Sequence, residues 1–241
     1  MKNYIRLPLE NTTNTRDLGG YACNGGGVTR FRAFVRSDAL NRLSDNDILF
    51  LKEYGIRTVI DLRSPAEANN HPCPDAVKAF ADYVNISIIP GDLEVDMADL
   101  LKVPPERQMP NLYLSILKES QKSFALVIKT AAEAREGGVL FHCAVGKDRT
   151  GTVAALLLGT VGVSVDDIIS NYEVTHTYIR RSPHFLEGVQ KLPIGYWQSN
   201  REYIEPALSY LSEYESAAGY IESIGLKEDI ISKIRKRFVE F

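Results

Sequence analysis

Residues 139–151 read VLFHCAVGKDRTG, and the next stretch, TVAALLLGTVGVSV at 152–165, is the most apolar in the chain. An apolar run that stops at a polar, glycine-bearing turn and resumes at helix length reads as strand, loop and helix. The second apolar stretch is shorter than the roughly 20 residues a bilayer span needs, so it is expected to be a buried core helix. The loop then sits at the carboxyl end of a strand. In α/β folds that edge collects functional groups.

Working outward, Ser44 and Asp47 form a capping-box pair ahead of Ile48, Leu49 and Leu51, and Gly55 marks a helix stop. Thr58-Val59-Ile60 is a short apolar strand ending in DLRS, and residues 83–89 alternate well enough for a second. The glycine-rich NGGGVTR is expected to turn a hairpin into residues 31–35. A long helix is expected over about 112–136, and further helices at about 150–161, 165–180, 200–217 and 227–239. Ser164 with Asp167 is a second capping pair. Residues 91–111, acidic and proline-bearing, read as an irregular insertion or lid. No repeat or linker divides the 241 residues, so one domain over 1–241 is expected: an α/β fold, mainly parallel central sheet flanked by helices, with a helical C-terminal part.

Composition narrows the function classes. With 28 Lys and Arg against 31 Asp and Glu the net charge is −3, which gives no global field for nucleic acid or an acidic membrane. The amino terminus lacks the apolar core of a secretory signal, and a cytoplasmic protein with no stable membrane insertion is expected. Cys23, Cys73 and Cys143 are odd in number and lack CxxC spacing, which argues against a disulfide framework and a zinc site. His71, His176 and His184 share no ligand spacing. Neither metal nor cofactor is expected.

HCAVGKDRTG is built to hold an anion. The backbone amides of Ala144, Val145, Gly146 and Lys147 can curl into a nest, and the following helix adds free N–H groups and the positive end of its dipole. Arg149 supplies a bidentate fork for phosphate oxygens, which the point charge of Lys147 cannot. The same field stabilises a thiolate at Cys143, poised for in-line attack on phosphorus. Thr150 can assist the departing sulfur, and His142 can orient the loop by hydrogen bonding. A cysteine after a strand is more often inert core, but this one is ringed by His, Gly, Lys, Asp, Arg and Thr, which are poor core material. A Walker loop is excluded because Lys147 is followed by aspartate and Phe141 stands where its first glycine belongs. A silent phosphate-binding module, a sulfurtransferase and an arsenate reductase are the competing readings.

Cys143-AVGKD-Arg149-Thr150 resembles the phosphate-binding loop of protein tyrosine phosphatases, and the full HCxxGKDRTG form is similar to bacterial tyrosine/serine phosphatases with lipid phosphatase activity. NTRDLGG (14–20), RSDAL (36–40), VIDLRS (59–64) and AGYIESIGLKEDIISKIRKRF (218–238) resemble the same family in its order. The resemblance implies a tyrosine phosphatase fold and a cysteine-dependent phosphomonoesterase, with a phosphocysteine intermediate. It implies phosphotyrosine, phosphoserine, phosphothreonine or phosphoinositide substrates.

Expelling an alkoxide or phenoxide calls for a general acid. Asp148, inside the loop, is favoured by the resemblance; Asp61, directly after a strand, comes second; Asp92, in IPGD where the superfamily carries a mobile acid loop, third. Each has a plainer alternative: Asp148 a neighbouring cation, Asp61 a turn held with Arg63, Asp92 a solvated turn. Asp17, Arg36, Asp38 and Arg63 are read as loop supports or substrate contacts, with ion pairs as the alternative. The tyrosines at 172, 178, 196, 203, 210, 214 and 220 fall at helical spacings, which suits packing.

Overall fold

A computed structural model describes residues 2–89 and 103–241. The main sheet has five strands in the order β1 (Arg16–Asp17), β3 (Phe34–Ser37), β6 (Gly138–His142), β4 (Ile56–Asp61) and β5 (Asp82–Asn85). Four run parallel; β1 is antiparallel to β3 at one edge. A separate ribbon pairs β2 (Val28–Thr29) with β7 (Val239–Glu240).

The strand alternation sorts side chains between two cores. Phe34, Ile60, Val139 and Phe141 face the larger one; Val35, Val59 and Leu140 face the smaller. Both faces are therefore covered, which is why β6 is apolar without interruption until His142. Each fully buried large apolar side chain contributes about 1.5–3 kcal/mol. The smaller core packs under α1 (Asp45–Tyr54) and α3 (Asp75–Lys78). Between these in sequence lies α2 (Pro65–Asn70), capped by Ser64 and Glu67 in a reciprocal box.

The larger core is roofed by helices: α4 (Pro105–Glu119), α5 (Gln121–Glu133), α6 (Asp148–Thr160), α7 (Val165–Ile179), α9 (Arg201–Ser212), α10 (Ala217–Ser223) and α11 (Glu228–Phe238), with the short α8 (Pro183–Gly188) and a 3₁₀ turn at Ile194–Trp197 beside them. Among the described residues no helix is long and apolar enough to cross a membrane. Within the 152–165 stretch the helix runs to Thr160 and is the expected buried one, with Val153 to Leu158 almost wholly buried, while Val165 is exposed and opens α7.

Several expected boundaries move. NGGGVTR does not feed a hairpin into 31–35: Val28 and Thr29 pair with the C-terminal β7, and Arg32, at φ 67, breaks the chain before β3 starts at Phe34. The long helix expected over 112–136 is two, because Ser120 leaves helical geometry at ψ 24. The first of these begins at Pro105, whose missing N–H costs nothing in a first turn, so 105–111 is helix rather than irregular insertion. Glu215, at φ 67, likewise splits the 200–217 segment into α9 and α10. The second predicted strand is shorter than 83–89 and ends at Asn85. Asp92 and the rest of 90–102 lie outside the described residues.

Candidate active site

The turn from β6 into α6 is tied to the scaffold through its carbonyls. Asn14 Nδ2 donates to Val145 O (2.9 Å) and Gly146 O (3.0 Å), and Arg36 Nη2 donates to Gly146 O (2.7 Å). The Ala39 amide donates to Ala144 O at 3.1 Å. Gly146 is at φ 73, and a Cβ there would stand 2.6 Å from Ser37 O, so the position admits glycine alone. Its amide points instead to Cys143 Sγ, 3.3 Å away. Cys143 is 3% exposed, at the floor of the turn and beside the α6 N terminus.

These supports are themselves held. Asn14 takes Arg16 Nη1 on its backbone oxygen (3.0 Å) and on its side-chain oxygen, while its amide donates to Asp38 Oδ1 at 3.1 Å. Asn171 accepts Arg36 Nη1 on its side chain (2.8 Å) and Arg16 Nη2 on its backbone (2.7 Å). Burial lowers the Arg36 guanidinium to about 10, opposed by the Cys143 charge. It is still a cation at neutral pH, placed behind the loop.

On the open side, Arg149 makes a fork on Glu67, Nη1 to Oε2 at 2.7 Å and Nη2 to Oε1 at 3.0 Å. Burial alone would lower the Arg149 pKa; the Cys143 charge and the Glu67 bonds raise it instead. Glu67, opposed by burial, is pulled down to about 2 by Arg149. The same Glu67 carboxylate accepts the Ser64 amide at 2.9 Å, so one capping box aims the arginine. Thr150 Oγ1 is buried and has no hydrogen-bond partner among the described residues.

The candidate acids part company here. Asp61 is wholly buried, and its carboxylate accepts Arg63 Nε (2.9 Å) and Nη2 (2.6 Å), the Arg63 amide (3.0 Å) and Tyr83 OH (2.8 Å). Against burial, the Arg63 bonds hold it at about 2. Asp148 is 30% exposed at the first position of α6, where it accepts Tyr113 OH (2.5 Å) and meets Lys147 Nζ at 2.9 Å. Burial would raise its pKa; Lys147, then the Tyr113 bond, lower it. Lys147 is turned inward, with Gln198 O at 3.2 Å as its other partner. His142 Nδ1 lies 3.2 Å from Cys143 O, and only an N–H can satisfy a carbonyl, while its Nε2 stands 3.7 Å from Asp61. Burial lowers its pKa and favours the neutral ring.

The model of the tyrosine phosphatase family matches residues 7–240. The chain belongs to the tyrosine phosphatase family. A tyrosine-protein phosphatase of Nostoc commune is 32% identical over 218 residues, covering 85% of this chain and 74% of its own. The triple specificity protein phosphatase PtpB of Mycobacterium tuberculosis is 26% identical, covering 94% of this chain and 96% of its own. The tyrosine phosphatase described here is thus a phosphoric monoester hydrolase.

Sequence reasoning missed four side chains that converge on the loop. Asn14 lay inside NTRDLGG, and Glu67 in a Ser-x-x-Glu capping signature that points to a helix start and nothing more. Tyr113 and Tyr172 carried no polar signal, and Tyr172 was expected only to pack. Among the described residues no three His, Cys, Asp or Glu side chains group as a metal site requires.

A cavity of about 460 Å³ opens beside the loop, lined by Met109, Leu112, Val145, Leu192 and Trp197 among others, with Lys147 and Asp148 at its edge. Cys143 and Arg149 are not part of its wall.

Proposed function

We propose that this phosphatase hydrolyses phosphomonoesters through a phosphocysteine intermediate. The reading is carried by the Gly146 amide 3.3 Å from Cys143 Sγ, at the start of α6 and in the electrostatic reach of Arg149. A thiolate there attacks phosphorus while the ester P–O bond breaks. The loop amides and the Arg149 fork hold the nonbridging oxygens, whose geometry changes most in the transition state. Asp148 gives its proton to the leaving oxygen. In the second step water attacks phosphorus, Asp148 takes the water proton, and the P–S bond breaks with Thr150 stabilising the sulfur.

Asp148 is held toward its ionised form in the free site, and a phosphate dianion arriving beside it favours the protonated form, as like charges do. Asp61 is assigned to orienting Arg63, since both its oxygens are occupied and it has no exposed surface.

The 460 Å³ apolar cavity suits the body of the leaving group rather than the phosphate. An aromatic ring fits such walls, so phosphotyrosine is the preferred substrate; phosphoserine, phosphothreonine and phosphoinositides follow with lower kcat/KM, in keeping with the breadth in the name of the mycobacterial relative. The test is a kcat/KM panel over those substrates with rapid acid quench on a ³²P-labelled phosphopeptide. Label trapped on Cys143 and absent from Cys143→Ser supports the mechanism. Turnover that persists in Cys143→Ser overturns it, and binding without turnover would identify a silent phosphate-binding module.

A further inference from the structure

Tyr113, on α4, and Tyr172, on α7, meet under the first turn of α6 with their hydroxyls 2.7 Å apart and their rings edge to face. Both are buried, at 0% and 1% exposure. Tyr113 OH lies 2.5 Å from Asp148 Oδ1. A phenol has one proton to give, and an ionised carboxylate can only accept. Tyr113 therefore donates to Asp148, and Tyr172 must donate to Tyr113. The chain runs in one direction, from a buried hydroxyl to the carboxylate at the loop.

We propose that Tyr113, backed by Tyr172, is a positioning residue that holds the Asp148 carboxylate through this hydrogen-bond chain and sets the pH at which Asp148 exchanges its proton. The inference rests on the reading of Asp148 as general acid. Three helices have to pack correctly for the chain to exist: α4 brings Tyr113, α7 brings Tyr172 and α6 brings Asp148. The other charges that face the carboxyl are Lys147, at 2.9 Å from the loop, and Arg149, one residue along α6. Arg36 acts on both tyrosines from β3, and Tyr203 on Tyr172 from α9. Lys147 attracts the carboxylate without fixing its direction, because an ammonium is a point charge with rotatable donors. A phenol in a closed aromatic contact has one donor direction, so Tyr113 decides where Asp148 Oδ1 sits.

A donor to the ionised form lowers a carboxyl pKa, and its loss raises it. The measurement is the pH dependence of kcat/KM on an aryl phosphate for wild type, Asp148→Asn, Tyr113→Phe and Tyr172→Phe, with thermal melts alongside. The limb on which activity falls as pH rises belongs to protonated Asp148. It should vanish in Asp148→Asn. In Tyr113→Phe it should survive and move up by roughly one pH unit, and in Tyr172→Phe move up by less. A uniform rate loss in Tyr113→Phe with the limb unmoved would show a merely structural role and overturn the inference. Should Tyr113→Phe fail to fold, an unmoved limb in Tyr172→Phe overturns it equally. A limb that persists in Asp148→Asn would instead remove the acid assignment beneath it, a result distinguishable from the other two.

Discussion

The loop from Cys143 to Arg149 is held on two sides by different kinds of contact. Behind it stand Asn14, Arg36 and Ser37, at 0%, 1% and 0% exposure, bonded to loop carbonyls or to each other's supports. In front, the side chains of Arg149, Asp148 and Glu67 are 18%, 30% and 37% exposed. Buried polar contacts are expensive to leave unmade, so the back behaves as part of the fold. The front pairs are partly wet and can exchange partners: Arg149 on Glu67 already uses the fork that a phosphate would share. Shape is set behind the loop, and the proposed chemistry lies in front of it.

Substitutions on each side should therefore fail differently. The largest effect is expected for Cys143→Ser, which removes the proposed nucleophile: turnover should fall by about 10⁴-fold or more with the thermal midpoint nearly unchanged, checked by steady-state kinetics and calorimetry. Arg149→Lys keeps the charge and loses the fork; a drop in kcat/KM of about 10²–10³-fold at unchanged stability is expected, and a drop below tenfold would mean that the amides alone hold the phosphate. Asn14→Ala acts from behind. It strips Val145 O of its side-chain donor, leaves Gly146 O with Arg36 alone, and should cost about 1–3 kcal/mol in denaturant unfolding, with kcat falling as the loop loosens. If instead Asn14→Ala lowers activity at full stability, the two sides are not distinct.

Acid should expose a smaller difference. The folded Asp61 carboxyl titrates at about 2, below the ordinary carboxylate value near 3.9. A depressed carboxyl contributes stability that is complete above the unfolded value and is lost as pH falls through the folded one. Wild type should thus lose stability between about pH 4 and 2, and Asp61→Asn, already less stable at neutral pH, should lose less over that window. The smallest change is expected for Glu67→Gln: the fork on Arg149 weakens, and KM should rise a fewfold with kcat little altered.

The loop was legible because its parts are neighbours in the chain. Strand, glycine turn and helix start follow from local pattern, and the amides, dipole, Cys143 and Arg149 lie within one turn of one another. The caps at Ser44 and Ser164 are equally local. Boundaries were less legible where a single residue left the expected conformation, as Arg32, Ser120 and Glu215 do. Glu67 lies 82 residues from Arg149, Asn14 lies 132 from Gly146 and Tyr113 lies 35 from Asp148. No periodicity carries such pairings.

By itself the sequence determined the order of strand, loop and helix, the glycine at 146, and a cysteine with an arginine six residues on, because these depend on backbone conformation and dipoles that act over one or two turns. Which aspartate faces the open site was decided by tertiary structure. Asp61 and Asp148 are both carboxylates at the same sheet edge; Arg63 and Tyr83 close around one, while Tyr113 and Lys147 hold the other at the surface of the loop. Burial and hydrogen-bond partners separate their chemistry, and both come from parts of the chain that only folding brings together.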